Sequence, residues 1–223
     1  HSSWQRGGRR RRGTFSTNRY WLVIARTGLI VSASWLCGRN RSQGWSRRGA
    51  TSMKDEEGFW GLVEAAWAPL GVDVNQARRE LAQRTPAPDE DLYGKPPFAV
   101  VEAALKEFLG NLGSISEGLS ADELTDLDRV VEAKLHDIDR ADIHAVTDGS
   151  DDGFLYARGF IVALGRDFYA AVAEDPKKAV LDAECEEMCY FFAHLHHERY
   201  GTFPDTGSKI SRETCSNPAG WPG

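Results

Sequence analysis

Ser150-Asp-Asp-Gly-Phe154-Leu-Tyr-Ala-Arg158-Gly-Phe-Ile-Val-Ala-Leu164 is the stretch on which the fold turns. Ser150 suits a helix N-cap, because its hydroxyl can accept an orphan amide of the first turn. Asp151 and Asp152 follow where carboxylates oppose the positive end of the helix dipole. From Phe154 to Leu164 the residues are apolar on nearly every side of a 3.6-residue period, and Arg158 is the one internal charge. A helix that is apolar all round is a buried one. Residues 150–164 are therefore predicted to be the central helix, with the rest of the chain packed around it.

The flanking sequence supplies that packing. Ser120-Ala-Asp-Glu123 is a capping box, in which the serine and the glutamate satisfy each other's backbone amides. It opens a helix with Leu124, Leu127, Val131, Leu135 and Ile138 on one face, and a short helix or turn at 141–146 follows. Upstream, Phe59, Val63, Ala66, Trp67 and Leu70 form a helical stripe closed by Pro69-Leu70-Gly71, and 74–83 reads as a shorter helix. Residues 85–97 carry four prolines and read as a loop, with Pro97 as a first helical residue. Phe98, Val101, Leu105 and Phe108 make the next stripe, which Gly110 to Gly118 should end. Downstream, 168–173 is helical, Pro176 interrupts, and 183–200 is a last helix ended by Gly201. No segment alternates with period two. The prediction is an all-α fold of about seven helices, a single domain over 53–200, and an irregular C-terminal tail over 201–223.

Charge divides the chain sharply. Residues 1–52 hold 11 of the 27 basic residues, all arginine, and no acid. After residue 52 there remain 16 basic against 33 acidic residues, a net charge of −17. Three readings compete for 1–52. Translated GC-rich upstream DNA gives arginine, glycine, serine and tryptophan without lysine or acids. A targeting signal would use Arg9 to Arg12 as its charged region and 20–37 as its apolar stretch, but Arg26 interrupts that run, and a span needs about 20 residues. A basic nucleic-acid arm is the third. The first is preferred, so 1–52 is expected to be a non-native or disordered extension, with the protein starting at Met53. The remainder is expected to be cytoplasmic. Its strong acidity argues against nucleic acid or an anionic membrane as partner. Three cysteines in that part, Cys185, Cys189 and Cys215, do not indicate a disulfide framework.

Four constellations invite a chemical reading. Asp148-Gly-Ser150-Asp-Asp152-Gly153 matches the first half of a calcium loop, but position 12 is Gly159 where a bidentate glutamate is required. An acid-capped helix start explains the same residues. Cys185, Cys189 and His196 share a face of the last helix and are candidate zinc ligands. Phe192 shares that face and no second ligand pair is visible, so core packing is the preferred account. His194 and His197 read as a surface patch near a helix C-terminus. Arg158 needs a partner if buried, and with Asp151, Asp152 and Arg166 it could form either an ion-pair network or a small catalytic or anion-binding cleft. Structural pairing is preferred. No phosphate loop or nucleophile motif is present, and no cofactor is expected.

Glu57-Gly-Phe-Trp60-Gly-Leu-Val-Glu64, Ser150-Asp-Asp-Gly-Phe154, Arg158-Gly-Phe-Ile161, Gly165-Arg-Asp-Phe-Tyr169 and Asp175-Pro176 together resemble a bacterial family built on a domain of unknown function. That family runs F-W-x-L-I-E near its start, then S-D-D-x-F-x-x-F-R-x-W-L-I-x-x-G-R-x-x-Y, with an acidic last helix. The resemblance spans about 56–200 and is most specific over 150–176. It implies a small helical cytoplasmic domain beginning near Met53, and carries no activity with it. The chain departs from the pattern at Ala157, where an aromatic is usual, and at Phe160, where tryptophan is usual.

The leading functional expectation is a protein-interaction module, immunity- or antitoxin-like, whose negative charge steers a basic partner. The alternative is a small enzyme or ligand-binding domain using Asp151, Asp152, Arg158 and Arg166 in a cleft. A third is a domain that stabilises a larger assembly. Oligomeric state is left open.

Overall fold

The computed structural model describes residues 53–87, 90–147 and 149–221, with side chains from Asp55 onward. The chain divides into two units, 1–46 and 47–223, and everything described belongs to the second. The expectations for residues 1–52 and for Asp148 lie outside the described residues.

The architecture is all-α. Among the described residues there are nine α-helices and no strand: α1 Met53–Trp67, α2 Val72–Gln83, α3 Phe98–Ile115, α4 Ala121–Asp137, α5 Ala141–Thr147, α6 Asp151–Ala163, α7 Arg166–Glu174, α8 Glu186–Cys189 and α9 Phe191–Tyr200. Short 3-10 turns at Ala68–Leu70 and Pro176–Lys178 punctuate them. No helix among the described residues is long and apolar enough to cross a membrane.

The central helix is α6. Every residue from Ala157 to Ala163 is buried, Arg158 included. Helices α4, α5, α7 and α8 pack against it, while α1 lies on α3 and α2 on α7. Ser150 caps α6 through its hydroxyl, which accepts from the Gly153 amide at 3.2 Å. The capping box of α4 forms in full: Ser120 Oγ accepts from the Glu123 amide at 3.3 Å, and Glu123 Oε2 accepts from the Ser120 amide at 2.8 Å. Aromatic contacts fill the layers between helices. Trp67 stacks on Phe108 with ring centres 4.4 Å apart, and its indole donates to the Ala163 carbonyl at 2.7 Å.

The turn between α6 and α7 is pinned by charge. Arg78 lies over the Trp67 ring, makes an ion pair with Glu64 at 2.8 Å, and donates to the Leu164 carbonyl at 2.7 Å. Gly165 sits there in the left-handed region, φ +94°, where a Cβ would fall 2.2 Å from a Glu64 oxygen.

Helix α3 ends at Ile115, inside the expected 110–118. Two expectations need correction. Pro97 is the residue before α3 and not its first helical residue. The single last helix over 183–200 is broken. The Cys185 amide donates to the Tyr156 carbonyl of α6 at 3.0 Å, which holds 183–185 out of helix. Tyr190 then leaves helical geometry at φ −130°, ψ 15°, separating α8 from α9.

Candidate functional site

Two arginines organise the interior. Arg158 projects from the middle of α6 and is fully buried. Its Nη1 donates to the Leu135 carbonyl of α4 at 3.0 Å, and its Nη2 to the Arg212 carbonyl of the tail at 2.8 Å and the Thr214 hydroxyl at 3.4 Å. The guanidinium also lies 4.9 Å over the Phe154 ring. Burial lowers its pKa, and the Asp139 carboxylate opposes that most strongly. Arg212 reaches the opposite way, into the body. Its Nη2 pairs with Asp128 at 2.7 Å and with Glu132 at 3.4 Å, its Nη1 donates to the Cys189 carbonyl, and its guanidinium lies 5.1 Å over Tyr190. Burial raises the pKa of Asp128 against the lowering pull of Arg212.

A second buried carboxylate completes the system. Asp139, fully buried after the end of α4, accepts from three consecutive tail amides: Cys215 at 3.2 Å, Ser216 at 2.7 Å and Asn217 at 2.9 Å. The Trp221 indole donates to the same carboxylate at 2.9 Å while its ring packs near His144 and Phe154. Gly220 crosses so close that a Cβ would lie 2.1 Å from the Asp139 carbonyl oxygen. The irregular tail is thus clasped to α4 and α6. Aperiodic sequence concealed this, because the tail's contacts with Asp139 and Arg158 join residues more than 50 positions apart.

The sequence-selected residues fall into separate places. Asp151 and Asp152 are exposed in the first turn of α6. Arg166 pairs with Glu57 at 2.7 Å on a partly exposed surface. None of the three has a hydrogen bond or ion pair to Arg158, whose bonding partners are two carbonyls and a hydroxyl. Cys185 and Cys189 are buried free thiols, and burial pushes both pKa values up to about 12. Cys189 and the Cys185 carbonyl rest against Gly159, where no Cβ would fit. His196 is turned elsewhere, its Nδ1 bonded to the Thr202 carbonyl at 2.6 Å. Among the described residues no group of three or more histidine, cysteine, aspartate or glutamate side chains could hold a metal ion. His194 and His197 are exposed, and His197 stacks on the exposed Phe203 with ring centres 4.5 Å apart.

A different cluster forms around the start of α6. Asp151, Asp152, Glu184, Glu186, Glu187 and Glu213 are all exposed, and none has a lysine or arginine ion-pair partner among the described residues. Their proximity is visible in their shared neighbours. Partial burial and the carboxylates Glu186 and Asp152 raise the Tyr156 phenol, and burial, with Glu213 and Glu186 adding to it, raises that of Tyr190. Glu184 Oε1 lies 3.5 Å from where a Cβ at Gly153 would fall, and Thr214, next to Glu213, donates to the Asp151 carbonyl at 2.7 Å. Sequence reading found the two aspartates but not the glutamates that α8 and the tail bring to them. Elsewhere, an open groove of about 390 Å³ is lined by residues 86, 87 and 90–93 on one side and by residues of 177–182 on the other, with Leu92, Val146, Val180 and Leu181 along it.

Fold and site together define a small all-helical domain whose buried charges fasten its own C-terminal segment and which carries a group of exposed carboxylates around the start of α6. Residues 101–200 match the model of a family described as protein of unknown function (DUF4240). The match covers α3 from Val101 through the end of α9, within the span over which the sequence resembles a family of that kind. No curated protein and no solved structure matches the chain.

Proposed function

We propose that the protein is a protein-interaction module that recognises a basic partner through the acidic face at the start of α6. The observation that carries this reading is six exposed carboxylates from α6, the 184–187 segment and the tail, none of them neutralised by a lysine or arginine of the described chain. An unneutralised patch raises the local concentration of an oppositely charged partner and accelerates encounter. The net charge of −17 after residue 52 supplies the long-range part of the same attraction. Tyr156 and Tyr190, partly exposed beside the carboxylates, add aromatic area of the kind enriched in interfaces. An immunity- or antitoxin-like role against a basic protein is the form this reading takes. It places the protein in the cytoplasm and assigns no nucleic-acid or membrane partner, since phosphates are repelled by the same field.

The test is affinity capture from an extract of the source cell with the full chain and with a variant carrying Asp151→Asn, Asp152→Asn, Glu186→Gln and Glu213→Gln. The expected result is a stoichiometric basic protein held by the wild type, released by salt, and not held by the variant. Capture of the same protein equally by both forms overturns the proposal, as does capture of none.

A further inference from the structure

The tail lies on the body as a series of local turns. Asp205 Oδ1 accepts from the Gly207 amide, Thr206 Oγ1 from Ser208, Ser208 Oγ from Ile210 and Ser211 Oγ from Glu213. Side chains that capture the amide two residues on shape an irregular chain without helix or strand. The body then holds both side chains and main chain: the Thr206 and Ser208 hydroxyls donate to Glu132 at 2.6 and 2.7 Å, and the Thr214 hydroxyl to the Asp151 carbonyl at 2.7 Å. Arg129 Nε donates to the Thr206 carbonyl at 2.7 Å, and Arg158 Nη2 to the Arg212 carbonyl at 2.8 Å. The deeply inserted side chain is Arg212, in a slot made by Asp128, Glu132, the Cys189 carbonyl and the Tyr190 ring. Carbonyls gripped in passing and one charged anchor in a buried slot is the pattern by which grooves hold peptide ligands.

Two further observations bear on this. The groove is incompletely satisfied: Asp128 Oδ1 in the slot and Arg158 Nε beside it are buried without a hydrogen-bond partner. And the groove groups named all lie within 101–200, the span that matches the family, whereas the segment occupying the groove lies outside it. The occupant also holds on by few apolar contacts. Ile210 is only partly buried and Lys209 and Ser211 are exposed, so lifting 205–214 uncovers little apolar surface. The chain stays anchored on either side, by α9 before it and by the Asp139 clasp after it.

We infer that the groove between α4, α6 and α8 is a binding site for an arginine-bearing peptide segment, with residues 205–214 as its built-in occupant. A segment of another protein presenting an arginine enters by displacing them and placing its guanidinium between Asp128 and Glu132. This site lies beneath the tail and shares only Glu213 with the acidic face, so either proposal can fail alone.

The probe is a fluorescein-labelled synthetic peptide of residues 203–214, compared with the same peptide carrying alanine at its arginine. Anisotropy is measured against the full chain and against its Arg212→Ala variant, which weakens the internal occupant. The arginine peptide is expected to bind the variant at least tenfold tighter than the wild type, and at least tenfold tighter than the alanine peptide does. Equal binding of the two peptides, or no gain in a variant that still unfolds cooperatively, overturns the inference. Should Arg212→Ala fail to fold, hydrogen exchange of the wild type decides. Excess arginine peptide should accelerate exchange at 207–213 while α6 is unchanged, and identical exchange with both peptides overturns the inference.

Discussion

Arg212 Nη2 lies 2.7 Å from Asp128 Oδ2, and both side chains are more than nine-tenths buried. The pair joins the aperiodic end of the chain to α4 across 84 residues. Removing one member of a buried pair costs about 3–5 kcal/mol where the other charge is left uncompensated. Glu132 still faces Arg212 at 3.4 Å, so Asp128→Asn is expected to lower unfolding stability in urea by about 3 kcal/mol or less, whereas Lys177→Ala, at an exposed position, should stay within about 0.5 kcal/mol.

Arg158 and Arg166 should behave oppositely although they sit only two helical turns apart in sequence. Arg158→Ala strips the Leu135 and Arg212 carbonyls of their donor inside the core, so a loss of about 3 kcal/mol or more is expected. Its second signature is faster hydrogen exchange at 212–217, because the tail loses a fastening. Arg166→Ala removes a partly exposed pair with Glu57 and should change stability by less than about 1 kcal/mol. Parallel denaturant curves would separate the two, and equal losses would contradict the burial argument.

The capping box gives a pH signature. Hydrogen bonds from the Ser120 amide and hydroxyl hold the Glu123 carboxyl below its ordinary value of 4.5. A depressed acid contributes stability that is present above its unfolded pKa and is lost as pH falls through the folded one. The difference in stability between wild type and Glu123→Gln should therefore be constant near neutrality, shrink once pH falls below the ordinary value of 4.5, and vanish when pH has passed below the folded value. Ser120→Ala should cost about 1 kcal/mol at pH 7.

Thiol chemistry should be unequal. Cys185 and Cys189 are buried, with pKa values pushed up to about 12, while Cys215 is exposed. Since the thiolate is the nucleophile, iodoacetamide at pH 8 should alkylate Cys215 in the native protein and reach the other two only after unfolding. Peptide mapping by mass spectrometry reads this directly. Native alkylation of Cys189 would show that α8 opens from α6.

Much of the helical frame was legible because it is written in local signals. The apolar run after Ser150, the acids of its first turn and the Ser120 to Glu123 box each act within a few residues. The α8–α9 break was not legible: 183–200 keeps helical period, and what interrupts it is a hydrogen bond from Cys185 to a carbonyl on another helix. The site was half legible. Arg158 stood out as a charge in an apolar helix and was rightly expected to need partners. Its partners are carbonyls of Leu135 and Arg212, and a carbonyl leaves no mark in sequence. The tail was read as irregular, which it is; its serines, threonine and aspartate did not announce that they would shape it for docking.

The clasp on Asp139 also sets an order of events in the cell. Helices α4 and α6 leave the ribosome well before Trp221, yet Asp139 and Arg158 take their partners from residues 212–221. Until residues 212–221 emerge, a nascent chain carries two charged groups facing an unfinished interior. Folding of the helical body is thus completed only by the segment that follows it, and a chain stopped before Cys215 would have its helices present and Asp139 without the amides that hold it.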